Sequence, residues 1–318
     1  MRLLVLGGTS FVGCALVEDA RSRGDEVTLF SRGRTGTELF PDVERRTGDR
    51  TAGDYASLSD GTWDAVVDVS AYVPRHVGQA FDALSGRVGR YLFISTGSVY
   101  DRHAAPLDGL TEDSPRLPAE RGTEEVTGET YGPLKVACED DVAHRWGERG
   151  TVVRPGIVAG PYDPTDRFTW WVRRAALGGR TALPGRPEQP VQVVDSRDLA
   201  RLVTALLADD RGGTYNAVGP AEPVTLAGLV QACAQAAGTQ VELVAVPPDT
   251  VPPDYPLVLP DPTWDPMSRR SARAARAAGM GATPLEQTAA DVLAWDRARG
   301  LPPIEAGLSP EREAELLG

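Results

Sequence analysis

The chain has 318 residues, 41% hydrophobic and 25% charged, with a net charge of −12. That size suits about two domains with a proper core, and the composition excludes wholesale disorder or collagen-like repeats. No apolar run approaches the ~18–20 residues that cross a bilayer, and the acidic balance argues against membranes and nucleic acid as partners.

The apolar opening at 3–6 breaks at Gly7-Gly8, too short for a signal peptide, so a cytoplasmic protein is expected. A helical pattern over 11–23 follows and ends at Gly24. Strand patterns come next at 26–30, 64–70 and 91–95, with helical stretches around 76–84 and 131–148. Nearly continuous apolar strands between amphipathic helices predict an α/β fold, a doubly wound parallel sheet covered on both faces. Another strand at 151–154 leads to a Pro/Asp/Gly loop over 160–169 and a short helix at 168–177. Strands at 191–194 and 213–218 flank a helix at 198–207, and a helix over 225–237 stops at Gly238. Eight prolines within 247–266 exclude regular structure there and predict a static strap or a lid. Thr283-Pro284-Leu285-Glu286 has the form of a capping box that starts a last helix, and the tail from Leu301 is expected to wrap back over the body.

The cysteines Cys14, Cys138 and Cys233 and the histidines His76, His103 and His144 are scattered. Their spacings predict neither a disulfide framework nor a metal site, and free buried thiols are expected. Of the 33 basic residues only Lys135 is a lysine.

Four segments carry chemistry. Val5-Leu6-Gly7-Gly8-Thr9-Ser10-Phe11-Val12-Gly13 joins the first strand to the first helix. So tight a turn needs glycine, and it presents the unpaired N–H groups of the helix start to a pyrophosphate. At the end of the second strand, Phe30-Ser31-Arg32-Gly33-Arg34 carries no acid to accept from ribose hydroxyls. Ser31, Arg32 and Arg34 suit a 2′-phosphate, which favours NADP (as NADPH) over NAD; a solvated basic turn is the alternative. Tyr131-Gly132-Pro133-Leu134-Lys135 puts a phenol and the lone ammonium on one helical face. A cation near a phenol lowers its pKa, and the same ammonium suits the ribose hydroxyls of a cofactor. Phe93-Ile94-Ser95-Thr96-Gly97-Ser98 ends a buried strand, where Thr96 is placed to hydrogen-bond a substrate oxygen while Tyr131 moves the proton. Ser95 and Ser98 are equally explained as turn residues.

With these segments the chain resembles the extended short-chain dehydrogenases/reductases, the NAD-dependent epimerase/dehydratase superfamily with its Rossmann fold. The resemblance maps that family's glycine motif onto Gly7, Ser10 and Gly13, with serine in the middle place, and its catalytic triad onto Thr96, Tyr131 and Lys135. It also implies cofactor contacts at Thr9, Phe11 and Val12 of the turn, at Asp49 and Arg50 (Asp49 on the adenine), at Ser70-Ala71, and at Pro155 and Ile157 near the nicotinamide. The segment from Val194 to Ala200 is taken as structural, capping the helix it begins. Domain boundaries follow: a dinucleotide-binding domain at 1–160 rejoined by 190–220, and a smaller substrate domain from 161–189 and 221–318.

Departures from the family restrict the activity. Gly97-Ser98 stand where sugar dehydratases of the family carry Asp-Glu, so elimination is not expected. No arginine stands around Gln189-Pro190-Val191-Gln192, just ahead of Val193-Val194-Asp195, to meet nucleotide-sugar phosphates as in the family's epimerases. The reading expected first is an NADP(H)-dependent reductase or dehydrogenase transferring hydride to or from a small carbonyl or secondary alcohol. An epimerase of a sugar or nucleotide sugar is the alternative. The Phe30–Gly33 turn is also similar to that of the chloroplast stem-loop-binding proteins, some of them RNA-associated, a role the net charge of −12 argues against. Tyr72, His103, Arg167 and Trp170 are candidates for lining a small-molecule pocket, with one of Trp170 and Trp171 in the core and the other in the pocket. A homodimer is the expected assembly.

Overall fold

Strand–helix alternation builds a doubly wound sheet in the computed structural model, which describes residues 1–106, 109–253 and 255–318. From the amino end run β1 (Arg2–Leu6), α1 (Phe11–Ser22), β2 (Glu26–Ser31), β3 (Glu44–Thr47), β4 (Trp63–Asp68), α2 (Pro74–Leu84) and β5 (Val88–Ile94). Next come α3 (Tyr131–Trp146), β6 (Gly150–Pro155), β7 (Ile157–Ala159), α4 (Arg167–Ala176), β8 (Gly179–Pro184), β9 (Pro190–Val191) and β10 (Val193–Asp195). The rest is α5 (Ser196–Ala208), β11 (Gly213–Ala217), β12 (Val224–Thr225), α6 (Leu226–Ala237), β13 (Val241–Val246), α7 (Arg273–Ala277), α8 (Leu285–Ala298) and α9 (Pro310–Leu317).

Seven parallel strands lie in the order β11-β6-β5-β4-β1-β2-β3. The two-residue period of a strand explains why β1 is apolar throughout. Leu3 and Val5 enter the core shared with α1 and α5, while Leu4 and Leu6 enter the core under α2 and α3. The order reverses between β1 and β4, so the crevice outside the carboxyl ends of these two strands is the topological switch point, where open α/β sheets bind ligands.

A second core gathers α4, α6 and α8 with the β8–β13 pair. The domain boundary is less clean than the sequence suggests: Ala275, Ala278 and Met280, from the carboxyl-terminal part, pack into the first domain's core. Several local expectations also change. The strand expected over 191–194 is broken at Gln192, whose amide turns to bond the backbone of Arg270. The capping box does not form: the Thr283 hydroxyl donates to Asp198 instead, and Pro284 stands at the helix N-cap. The proline-rich segment is a packed strap. Val251, Tyr255, Leu257 and Val258 are buried in the second core, and the Pro256 carbonyl accepts from the Trp171 indole at 2.8 Å.

Candidate active site

The glycine-rich turn owes its shape to two positions. Gly7 has φ +99°, open to glycine and strained for other residues. Gly13 lies so close to the turn that a Cβ there would press on the Gly7 carbonyl. Ser10 is the extended N-cap of α1, and its hydroxyl makes no capping bond, so the helix start stays free to receive an anion. The serine that replaces the family's middle glycine is thus accommodated without strain.

Gly7, Thr9, Ser10, Phe11, Val12, Ser31, Arg32, Arg34, Asp49, Arg50 and Ser70 line one cleft of about 480 Å³. Arg32 and Arg34 are exposed at its rim, and neither is in an ion pair among the described residues. Asp49 caps the short 3-10 turn behind it: Thr51 donates to its carboxylate through Oγ1 at 2.6 Å and through N at 2.9 Å. These bonds, helped by Arg32 and Arg34, hold its carboxyl below the usual range. Arg50 touches the cleft, but its guanidinium is committed. It forks onto buried Asp68 with two 2.6 Å bonds and also donates to Tyr55 and Ser70. Its guanidinium braces the cleft wall, while the residue lines the cleft where the cofactor contact was expected.

Tyr131 opens α3, and its phenol lies near enough to the Thr96 hydroxyl, just past the end of β5, to be influenced by it, while Thr96 Oγ1 donates to Ser98 Oγ at 3.2 Å. Thr96 is fixed in turn by Ser98, whose N–H donates to Thr96 Oγ1 at 3.1 Å. Lys135, one turn along α3, is buried and donates to the carbonyls of Ala71 and Ile94, both at 2.8 Å. Its ammonium sits 4.1 Å from the centre of the Phe93 ring. Burial pushes this ammonium down to about 8 and pushes the Tyr131 phenol up. The sequence expectation of a lowered phenol is therefore corrected. Burial disfavours the phenolate, and Lys135 spends its donors on carbonyls.

Beneath Thr96 lies a network that the motifs did not point to. Glu139 is buried and accepts from Ser95 at 2.6 Å and from both Arg154 nitrogens, at 2.9 and 2.7 Å. Its place four residues after Lys135, on the same face of α3, was the available signal. Pro155 ends β6 and Ile157 begins β7, and Ala71 contributes the carbonyl that holds Lys135; none of the three lines the cleft.

The expected substrate residues separate. Tyr72 is 48% exposed, lines the cleft, and sets its ring 6.4 Å from that of Tyr131. Arg167 is exposed at the start of α4, and its charge acts on the Tyr131 phenol. His103 is exposed on the loop after Tyr100. Trp170 is a correction: it is buried, like Trp171, and packs edge-on to Trp171 and Tyr255 in the second core, and neither tryptophan lines the cleft described above.

Residues 3–218 match the NAD dependent epimerase/dehydratase family. Among curated proteins, the chloroplast stem-loop binding protein of 41 kDa b from Arabidopsis thaliana is 27% identical over 74% of this chain and 63% of its own length. The chain thus spans under two thirds of that relative. Sterol demethylase protein B of Methylococcus capsulatus is 26% identical over 95% of this chain and 100% of its own. Among solved structures, the UDP-glucose 4-epimerase of Thermus thermophilus, in complex with NAD, superimposes with a TM-score of 0.69 and 22% identity, covering 94% of this chain and 100% of that one. The UDP-glucuronic acid 4-epimerase of Bacillus cereus, also with NAD, gives 0.70 and 16%, covering 94% and 98%.

Proposed function

The chain belongs to the NAD-dependent epimerase/dehydratase family, and from that premise we propose that it oxidises and re-reduces a secondary alcohol, inverting a carbinol centre of a sugar or nucleotide sugar. The observation that carries this reading is the Tyr131–Thr96 pair beside buried Lys135, next to a cleft shaped for a dinucleotide. The cradle fits that cofactor: a turn pressed onto the first helix, a helix start free of side-chain caps, and basic groups at the rim. Residues 7–13 would hold its pyrophosphate, Asp49 its adenine end, and Ser31, Arg32 and Arg34 a 2′-phosphate. When bound, the dinucleotide supplies the two-electron redox chemistry.

The protein's own part is position and proton transfer. Thr96 donates a hydrogen bond to the substrate oxygen and fixes it beside Tyr131. Tyr131 takes the hydroxyl proton during oxidation and returns it during reduction. Because burial, chiefly, raises the Tyr131 phenol, a cation is needed to stabilise the phenolate, and Lys135 stands one helical turn away. No carboxylate follows Thr96 in the chain, where Gly97 and Ser98 stand, so elimination has no acid at that place.

A second reading is favoured by one feature. Strand β2 ends in Ser31-Arg32 with no acid, which suits an exchangeable NADPH and a single reduction of a carbonyl. Nucleotide released from the as-isolated protein, followed by titration with NADPH and NADH, separates the two. Stoichiometric retained NAD supports the epimerase. Reversible binding that prefers NADPH supports the reductase. No binding of either overturns both.

A further inference from the structure

Among the described residues, the guanidinium beside Gly97 has no carboxylate partner. Arg270 follows the proline-rich strap, and its backbone is pinned in both directions by one side chain. Its N–H donates to Gln192 Oε1 at 3.0 Å, and its carbonyl accepts from Gln192 Nε2 at 2.9 Å. The guanidinium then enters a space kept open by two glycines. A Cβ at position 97 would fall on Nη1, and one at 156 would stand 3.1 Å from Nη2. Gly97 directly follows Thr96, and Gly156 follows the end of β6. The arginine head therefore lies within one residue of the hydroxyl that fixes the substrate oxygen.

Three neighbouring guanidiniums are matched: Arg50 by Asp68, Arg154 by Glu139, and Arg116 by Glu139 and Asp140. Arg270 is not. Its Nε is buried with no hydrogen-bond partner, and no carboxylate pairs with it among the described residues. Burial pushes the group down to about 10, with only Tyr100 acting in the other direction. A buried charge left unpaired costs stability, and an oxyanion that brings two acceptors to a guanidinium fork removes that cost.

We propose that Arg270 binds an oxyanion of the substrate, a carboxylate or a phosphoryl group, carried close to the carbinol that reacts at Thr96 and Tyr131. This rests on the carbinol reading above and narrows its substrates to acidic ones. Gly97 has a second role in this arrangement, since any side chain there would displace the arginine head.

The test uses the full chain saturated with NADP⁺, or with NAD⁺ if only that binds, so that the phosphate-binding rim is covered. Thermal midpoints are followed against sodium malonate and, separately, inorganic phosphate at constant ionic strength, for wild type, R270M and R270K. Wild type is expected to gain about 3 °C at tenfold saturation with one of the anions. R270M is expected to lose that gain, R270K to keep part of it, and anion-free R270M to melt above wild type, because the unpaired cation is gone. A response to malonate assigns a carboxylate, and one to phosphate a phosphoryl group. Equal gains in wild type and R270M, or no gain in wild type, overturn the proposal. If R270M does not fold, R270Q takes its place. Fluorescence titration of separate, nucleotide-free samples with NADPH and with NADH accompanies it: binding of neither to wild type sinks the dehydrogenase reading, whereas the anion response decides Arg270 separately.

Discussion

Tyr131 and Lys135 are perturbed in opposite directions by one cause, because burial disfavours whichever form is charged. The phenol needs a cation and the ammonium needs an anion or dipole. In the free protein the ammonium finds its dipoles in the carbonyls of Ala71 and Ile94. Tyr131→Phe, which keeps the ring and removes the proton carrier, is expected to lower kcat by about 10²–10⁴ while leaving dinucleotide Kd unchanged; steady-state kinetics with a parallel fluorescence titration checks both. Replacing Arg32 and Arg34 together with alanine is expected to weaken NADPH binding tenfold or more and leave NADH binding within about twofold. An equal loss for both nucleotides in the same titration would return the pair to a solvated turn. Tyr131, Lys135 and Thr96 were legible because their types and spacing are local. Glu139, Arg270 and the ion pair of Arg50 were not, since each is defined by a partner or space beyond its own element, 15 residues away for Glu139 and Arg154 and 18 for Arg50 and Asp68.

At the scale of elements, apolar periodicity located the buried strands and helices and failed where burial is one-sided. Strand β3, Glu-Arg-Arg-Thr, lies at the sheet edge beside β2 and carries no apolar signal. Helix α9 is held by polar contacts: Glu313 pairs with Arg174 and accepts from the Ala182 N–H at 2.9 Å. Thr283 looked like a helix cap and instead ties to Asp198, a long-range bond that outcompetes the local one. One buried amide ties the proline-rich strap at two points. Gln189 Nε2 donates to the Leu257 carbonyl at 2.8 Å, and its Oε1 accepts from the Leu259 N–H at 2.7 Å. Gln189→Ala strands both backbone groups and is expected to cost about 2–3 kcal/mol in urea unfolding. A loss below about 0.5 kcal/mol would mean that the apolar residues alone hold the strap.

Across the whole molecule, the two domains share material. Residues that follow the strap pass back onto β11 and place Ala275 and Met280 in the first domain's core, so unfolding is expected to be more nearly one transition than two. One buried histidine gives that transition a pH dependence. His76 on α2 has both ring nitrogens buried without partners, and burial pushes it down to about 4. As pH falls from about 6.5, the unfolded chain takes this proton and the native state does not, so stability declines until the folded value is reached. Between pH 6.5 and 5 the His76 contribution approaches about 1.4 kcal/mol per pH unit. His76→Leu is expected to flatten that part of the curve, and an unchanged slope in denaturant melts at several pH values would assign it to other groups. A different use follows from the solitary lysine. With one side-chain amine in 318 residues, reductive methylation with isotope-labelled formaldehyde installs a single side-chain NMR reporter, and it lies at the proposed catalytic centre. Its labelling rate gauges how often α3 and the end of β5 part, and its chemical shift registers every ligand that enters.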